Sequence, residues 1–342
     1  MRKRRLPAEP RAFRARILAA AVSAALLAAS ALAGDDAPTS ADAPEIPPHV
    51  SPEKGFWRTI GDFFLPHRPA TKTLLTKETE FHVITVEDDE MGYRRLVFQP
   101  DHGAQGVIIP EKPDVVVPNF MKYGFLSLPA LTKQPKKALF IGLGAGIMPR
   151  FLSKQRPDMD IDVVEIDPGV LEIAGKFFGF ATSKRLKVLI EDGRVFLDRK
   201  KGGKYDIVFL DAFNATGIPF HLTTVEFYRG VRGKLDENGV FAANIANLGR
   251  EEFLADELAT VASVFKHVAV VECPNVSNWV LFASDKPLFD EKKWRSEAEA
   301  FDRKNKWDFK LAPYLDSIFP KDKIDALKKK GKILSDDFAP VD

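Results

Sequence analysis

Periodicity predicts an α/β fold, a parallel sheet covered on both faces and preceded by a small antiparallel meander. Two observations carry this. From Lys137 onward, short continuous apolar runs alternate with helical stretches, the signature of strands buried on both faces. Before Lys137, short alternating segments are separated by turn residues, which reads as antiparallel strands. With 45% hydrophobic and 29% charged residues, the chain has ample core for such a fold.

The meander is read as Phe81–Val86, Tyr93–Phe98 and Gln105–Ile109, with turns at 88–92 and 100–103. A helix over Asn119–Thr132 follows. The apolar runs of the sheet are Ala138–Ile141, Ile161–Val164, Leu186–Ile190, Ile207–Leu210 and Val240–Ala243. Helices Ile147–Gln155, Pro168–Phe177, Val195–Lys200 and Thr224–Leu235 lie between them, and Thr223-x-x-Glu226 reads as a capping box for the last. A helix over Glu251–Phe265 then leads to strands Val268–Glu272 and Trp279–Ala283, close enough for a terminal hairpin. The resulting domain plan is 1–33 address, 34–70 linker and short helix, 71–116 meander, 117–285 α/β domain and 286–342 charged helical extension.

Residues 1–16 hold seven basic groups and one acid, and Ile17–Ala33 is a run of seventeen uncharged residues ending Ala31-Leu32-Ala33. A basic start, an apolar stretch and an A-x-A end make a secretory signal peptide, cut after Ala33. An uncleaved membrane anchor is the alternative, although a spanning helix wants about 20 residues. Both readings place the body outside the cytoplasm, in the periplasm of a bacterium. No cysteine follows the apolar run, so a lipoprotein anchor is excluded. Residues 34–50 are rich in Pro, Ala and Asp and read as a linker. Phe56, Trp57, Ile60, Phe63 and Phe64 share a helical face, read as a helix docked on the body or as a membrane- or partner-binding one.

The net charge is +2, but past residue 33 the balance is −4, which argues against a body that binds nucleic acid. One cysteine, Cys273, excludes an internal disulfide framework and a Cys-rich zinc site. The six histidines show no metal-ligand spacing, so no metal is expected; His221 reads as a loop or packing residue. No G-x-S-x-G elbow exists.

Ligands of an open parallel sheet bind beyond the carboxyl ends of its strands. The first strand runs into Gly142-Leu143-Gly144-Ala145-Gly146, where glycine lets backbone approach a ligand and turn into a helix. The second ends in Glu165, 23 residues after Gly142, which suits a carboxylate bridging ribose hydroxyls. Ile147 stands where a dinucleotide fingerprint needs its third glycine, so no diphosphate is implied. The third end carries Asp192-Gly193, placed to accept from an adenine amine or to cap the next helix. Asp211 ends the fourth strand beside the expected reaction point, where a carboxylate deprotonates or orients an amine, or caps a loop. Asn214 and Asn244 flank it as weaker acceptor contacts.

ALFIGLGAG (138–146), VVEIDP (163–168), EDGRVFL (191–197), YDIVFLDAF (205–213) and PFHLTTVEFY (219–228) occur in this order. In them, residues from about 79 to 285 resemble the spermidine synthase (polyamine aminopropyltransferase) family, closest to its spermidine synthase-like sub-type. Ser335-Asp336-Asp337-Phe338-Ala339-Pro340-Val341 is similar to the end usual in that sub-type. The resemblance implies a seven-stranded, S-adenosylmethionine-methyltransferase-like Rossmann fold. It implies decarboxylated S-adenosylmethionine or S-adenosylmethionine as cosubstrate, a small-molecule amine or other acceptor, and a homodimer as a form the family often takes. Carried over by position, Glu165 binds ribose, Asp192 binds adenine and Asp211 activates the acceptor. Two departures stand out. Ala145 replaces the family's acid for the aminopropyl ammonium, and Asn214 replaces its second Asp. Asp336 and Asp337 are candidates to fold back and restore negative charge. Three readings stay open: aminopropyl transfer to a di- or polyamine, methyl transfer, and an exported binding protein of the same fold. Export favours the last, because sulfonium nucleosides are made in the cytosol.

Overall fold

The computed structural model describes residues 70–99, 104–199, 203–214, 217–246, 251–274 and 278–338. The expected signal segment, linker, Phe-rich helix and 100–103 turn lie outside them.

The meander has four strands rather than three: β1 (Thr71–Glu78), β2 (Val83–Asp89), β3 (Arg94–Gln99) and β4 (Ala104–Ile108), antiparallel in that order. β1 escapes sequence reading because it is a polar edge strand, TKTLLTKE, with little buried surface. β2 also starts later and runs further than its apolar run suggests, because Phe81 stays exposed.

The main sheet comprises β5 (Lys137–Ile141), β6 (Asp160–Glu165), β7 (Leu186–Ile190), β8 (Tyr205–Leu210), β9 (Leu235–Ala246), β10 (His267–Cys273) and β11 (Asn278–Ser284). Their order is β10-β11-β9-β8-β5-β6-β7. β5 pairs in parallel with both β6 and β8, so the chain direction across the sheet reverses there. β11 runs antiparallel to β9 and β10, the terminal hairpin expected from the spacing. The strand KALFI shows why the sheet is covered twice. Ala138 and Phe140 enter one core cluster and Leu139 and Ile141 the other, all essentially buried.

The helices are α1 (Asn119–Gly124), α2 (Ser127–Ala130), α3 (Ile147–Gln155), α4 (Pro168–Phe178), α5 (Gly193–Asp198), α6 (Val225–Lys234), α7 (Glu251–Val264), α8 (Glu291–Asn305) and α9 (Lys321–Lys330). The single helix expected over 119–132 is two. Phe125, Leu126 and Leu128 donate three residues back, to Lys122, Tyr123 and Phe125, and Pro129 has no N–H to continue an α pattern. α5 begins two residues early because Asp192 caps it. α6 is capped by Thr224, whose hydroxyl accepts from Phe227 N at 3.3 Å. The expected capping box is not formed. Thr223 donates instead to Phe220 O, and Glu226 accepts from Asp336 N at 3.1 Å.

The segment after β11 packs back on the domain. Trp294 of α8 is 1% exposed and donates its indole N–H to Leu126 O at 3.0 Å. Burying such an aromatic is worth about 1.5–3 kcal/mol. α9 packs on α7.

Candidate active site

The glycine turn follows β5, and its three glycines all have positive φ: 99° at Gly142, 51° at Gly144 and 69° at Gly146. Gly142 also needs its missing side chain, because a Cβ there would overlap the backbone carbonyl of Asp211. Two neighbouring strand ends, those of β5 and β8, are thereby brought into contact. The turn is closed from above by β4. A Cβ on Gly144 would lie 2.9 Å from Gln105 O, and Ala145, 1% exposed, presses its methyl against Gly106. Position 145 therefore has no room for a longer side chain while Gly106 stays in place.

Glu165 ends β6, 7% exposed. Its Oε2 accepts from Leu143 N of the glycine turn at 2.9 Å, and its Oε1 accepts from Asp167 N at 2.9 Å. Burial raises its pKa, opposed by these two backbone donors. Each oxygen keeps a second lone pair, so the carboxylate can still receive two ribose hydroxyls. The residues present therefore fit a nucleoside at this end of the sheet.

Sequence reasoning missed the support under Glu165. Asp167, 0% exposed, caps α4 by accepting from Gly169 N at 2.7 Å. Its other oxygen accepts from the Thr79 hydroxyl at 2.5 Å and lies 3.1 Å from His82 Nδ1, while His82 stacks on Phe98 at 3.9 Å. The meander is thus tied to the glycine turn through Asp167 and Glu165. Asp-Pro at a strand end is a legible helix-start signal, but the partners Thr79 and His82 lie 88 and 85 residues away.

Asp192 Oδ1 accepts from Arg194 N at 2.8 Å and Val195 N at 3.0 Å, so the helix-cap reading is realised. Its Oδ2 lies 2.9 Å from His221 Nε2, so an adenine amine would share that oxygen with the imidazole. Gly193 is required here, because a Cβ would lie 2.6 Å from Ile141. The chain end reaches the same rim. Leu334 O accepts from Val225 N at 2.8 Å, and Asp336 pairs with Arg194 at 2.9 Å. The Thr224 hydroxyl and Arg194 hold the Asp336 carboxyl below the usual range. Its charge is thus spent on Arg194 rather than returned to position 145.

Asp211, after β8, faces a small cavity lined by Phe120, Gly124, Met148, Phe209, Ala242, Asn244 and Val280. Asn244 Nδ2 donates to Asp211 Oδ1 at 2.8 Å, and Asn278 Nδ2 donates to Asn244 Oδ1 at 2.8 Å. Desolvation pushes the Asp211 pKa up to about 6, against the lowering effect of Asn244. Asn244 is therefore brought to Asp211, as its strand-end position suggests. Asn214 accepts from Gly217 N at 3.0 Å within its own turn. Cys273 is buried in β10.

Comparison with known proteins bears on the domain and the fold. Residues 125–291 match the spermine/spermidine synthase domain. A polyamine aminopropyltransferase of Vibrio vulnificus is 37% identical over 170 residues, 49% of this chain and 56% of that one. A probable polyamine aminopropyl transferase of Bifidobacterium longum is 30% identical over 230 residues, 64% of this chain and 50% of that one. The chain thus spans about half the length of the curated relatives it matches. The crystal structure of a probable spermidine synthase from Corynebacterium glutamicum superposes with a TM-score of 0.65 at 22% identity, over 80% of this chain and 99% of that one. That likeness establishes the fold, a seven-stranded, mostly parallel sheet with a separate four-stranded antiparallel one. Residues 125–291 of the chain thus form a spermine/spermidine synthase domain by sequence.

Proposed function

We propose that this chain is a sulfonium-nucleoside-dependent transferase that moves an aminopropyl group from decarboxylated S-adenosylmethionine to an amine acceptor. The observation that carries the reading is the convergence of the glycine turn, Glu165 and Asp211 at the carboxyl ends of β5, β6 and β8, with Asp211 facing a cavity. The names of the relatives support it. A bound sulfonium nucleoside supplies an alkyl carbon made electrophilic by the positive sulfur.

The remaining work falls to the chain. Glu165, fixed by two backbone donors, orients the ribose. Asp192 faces the adenine edge with His221 beside it. Asp211 takes the acceptor's proton on Oδ2, while Asn244 holds Oδ1 and keeps the carboxyl turned into the cavity. Much of the acceleration comes from holding amine and carbon in line.

A second reading, methyl transfer from intact S-adenosylmethionine, is favoured by one observation. The wall formed by Ala145 and Gly106 leaves no acid to grip a terminal ammonium. Calorimetry of the purified protein with S-adenosylmethionine, its decarboxylated form and methylthioadenosine separates the two. Micromolar binding with the decarboxylated form preferred supports aminopropyl transfer, and preference for the intact form selects methyl transfer. No binding of any of the three removes both.

We propose a location separately, from the first residues of the chain. Basic residues, an apolar run and Ala31-Leu32-Ala33 support export with cleavage after Ala33. The secreted protein should then begin at Gly34 by mass spectrometry. An intact start recovered in the membrane fraction would select the anchor.

A further inference from the structure

We infer that Asp336 is a positioning residue for the adenine end of the crevice, acting through Arg194 on Asp192. The inference rests on the nucleoside reading of Asp192 and deepens it.

After α9 the chain crosses α7 to reach the start of α6. Gly331 lies so close to α7 that a Cβ there would come 1.9 Å from Ala255 O. Lys332 N donates to Asp256 Oδ1 at 2.6 Å, and Leu334 N donates to the buried Thr260 hydroxyl at 2.9 Å. Val225 N donates to Leu334 O at 2.8 Å, and Asp336 N donates to Glu226 Oε2 at 3.1 Å. The partners belong to α7 and α6, so the register of the crossing is fixed on the way to Asp336.

There the chain meets Arg194. One guanidinium nitrogen donates to Asp336 Oδ2 at 2.9 Å, and the other lies 3.5 Å from Oδ1. The second nitrogen also donates to the Thr224 hydroxyl at 3.2 Å. That hydroxyl donates to Asp336 and caps α6 by accepting from Phe227 N. Thr224 is fully buried, and the Arg194 side chain is 19% exposed. A planar fork closed on a carboxylate and a buried hydroxyl has a fixed orientation. An isolated ion pair at the surface fixes little, but this one is stapled to a helix cap.

The consequence falls on Asp192. The Arg194 backbone N–H is one of the two that hold Asp192 Oδ1. Asp192 Oδ2, the oxygen that an adenine amine would share, faces His221, three residues before Thr224. Both groups around that oxygen are thus tied to Asp336, one through Arg194 and the other through the segment ending at Thr224. Without Asp336, the carboxylate left beside Arg194 among the described residues is Asp198, one turn along α5 at 3.5 Å. The guanidinium then turns along α5 and leaves Thr224, and the direction of Asp192 Oδ2 is no longer set.

The test uses two nucleosides that differ at the group Asp192 would receive. Methylthioadenosine carries the exocyclic amine, and methylthioinosine carries a carbonyl oxygen in its place. Calorimetry of the purified protein gives both affinities, with the melting temperature read alongside. We expect wild type to prefer methylthioadenosine by about tenfold or more, the worth of a hydrogen bond to a charged acceptor. Asp336→Asn should cut that preference about fivefold, losing methylthioadenosine affinity and sparing methylthioinosine. Arg194→Lys, which keeps the charge without the fork, should act in the same direction. In Asp192→Asn the preference is already lost, and adding Asp336→Asn should change it no further. A merely structural strap would weaken both nucleosides in proportion. Proportional loss, a preference unchanged in Asp336→Asn or in Arg194→Lys, or a further change in the double variant overturns the inference alone. Wild type that binds neither nucleoside, or both equally, overturns the nucleoside reading of Asp192, and the inference falls with it.

Discussion

The two halves of the strand-end crevice hold their carboxylates with different kinds of donor. On the β5–β6–β7 side, Glu165 accepts a backbone N–H on each oxygen and is tied through Asp167 to Thr79 and His82 of the meander. On the β8–β9–β11 side, Asp211 has one amide partner among the described residues, and that amide hangs on a second, in a chain of side chains within an apolar wall. Backbone donors are fixed by the sheet and hold an ionised group in one place. A lone side-chain donor leaves an oxygen open, while burial raises the proton affinity of both groups. The first arrangement suits holding a ligand, and the second suits exchanging a proton.

The largest break in this contrast should come from Asp211→Asn. We expect kcat to fall by about 10²–10⁴-fold, the usual worth of a positioned base, with methylthioadenosine affinity unchanged by calorimetry. Retained turnover would remove Asp211 from the chemistry. The same variant reports on stability. A folded pKa raised from 3.8 to about 6 favours the protonated form. Stability from Asp211 is then fully present below about pH 4 and lost as pH rises through about 6. The Asn variant should therefore melt above wild type at pH 7, and the gap should close on acidification below pH 4.

Glu165→Ala comes next. Removing a carboxylate that accepts two ribose hydroxyls should weaken nucleoside binding by about 10²–10⁴-fold, at about 1.5–3 kcal/mol per charged hydrogen bond. Unchanged affinity would sink the ribose role. The two orphaned backbone donors of Leu143 and Asp167 should also lower the melting temperature.

Gly106→Ala tests the contact that seals position 145. Its Cβ would overlap that of Ala145, so overpacking of about 1–3 kcal/mol is expected, read as a loss in denaturant midpoint. Wild-type stability would mean that β4 can move away from the turn and that the wall is soft.

The smallest effect is the most diagnostic of the second half. Asn244 lowers the Asp211 pKa by hydrogen bonding to it. In Asn244→Ala the acid limb of the pH–rate profile should move to higher pH, with nucleoside affinity unchanged. A limb that stays in place would mean that Asp211 is not the group titrating in the profile.

Much of the frame was legible in the chain. Continuous apolar runs spaced by helices predicted the parallel sheet, and the strand ends named Gly142, Gly144, Gly146, Glu165, Asp192, Gly193, Asp211 and Asn244 as the residues of one crevice. The structure brings the β5, β6 and β8 ends together there. The polar edge strand β1 was not legible, because its residues have no buried face to impose a period. The break between α1 and α2 was missed because the apolar pattern continues across it. His221 read as a loop histidine, and only folding places its ring against Asp192.

By itself, the sequence determined what local physics can determine. Periodicity set the elements, glycines set the turn after β5, and the residue types at the strand ends set the available chemistry. Tertiary structure decided which of those groups meet, and so what each one is. The tie from His82 and Thr79 through Asp167 to Glu165 joins residues more than 80 positions apart. The chain from Asp211 through Asn244 to Asn278 crosses three strands whose neighbourhood is fixed by sheet order. Burial and hydrogen-bond partners set the proton affinity of a carboxylate, and both are properties of packing. Glu165 and Asp211 are both strand-end acids in the sequence, and the folded surroundings make them different chemical groups.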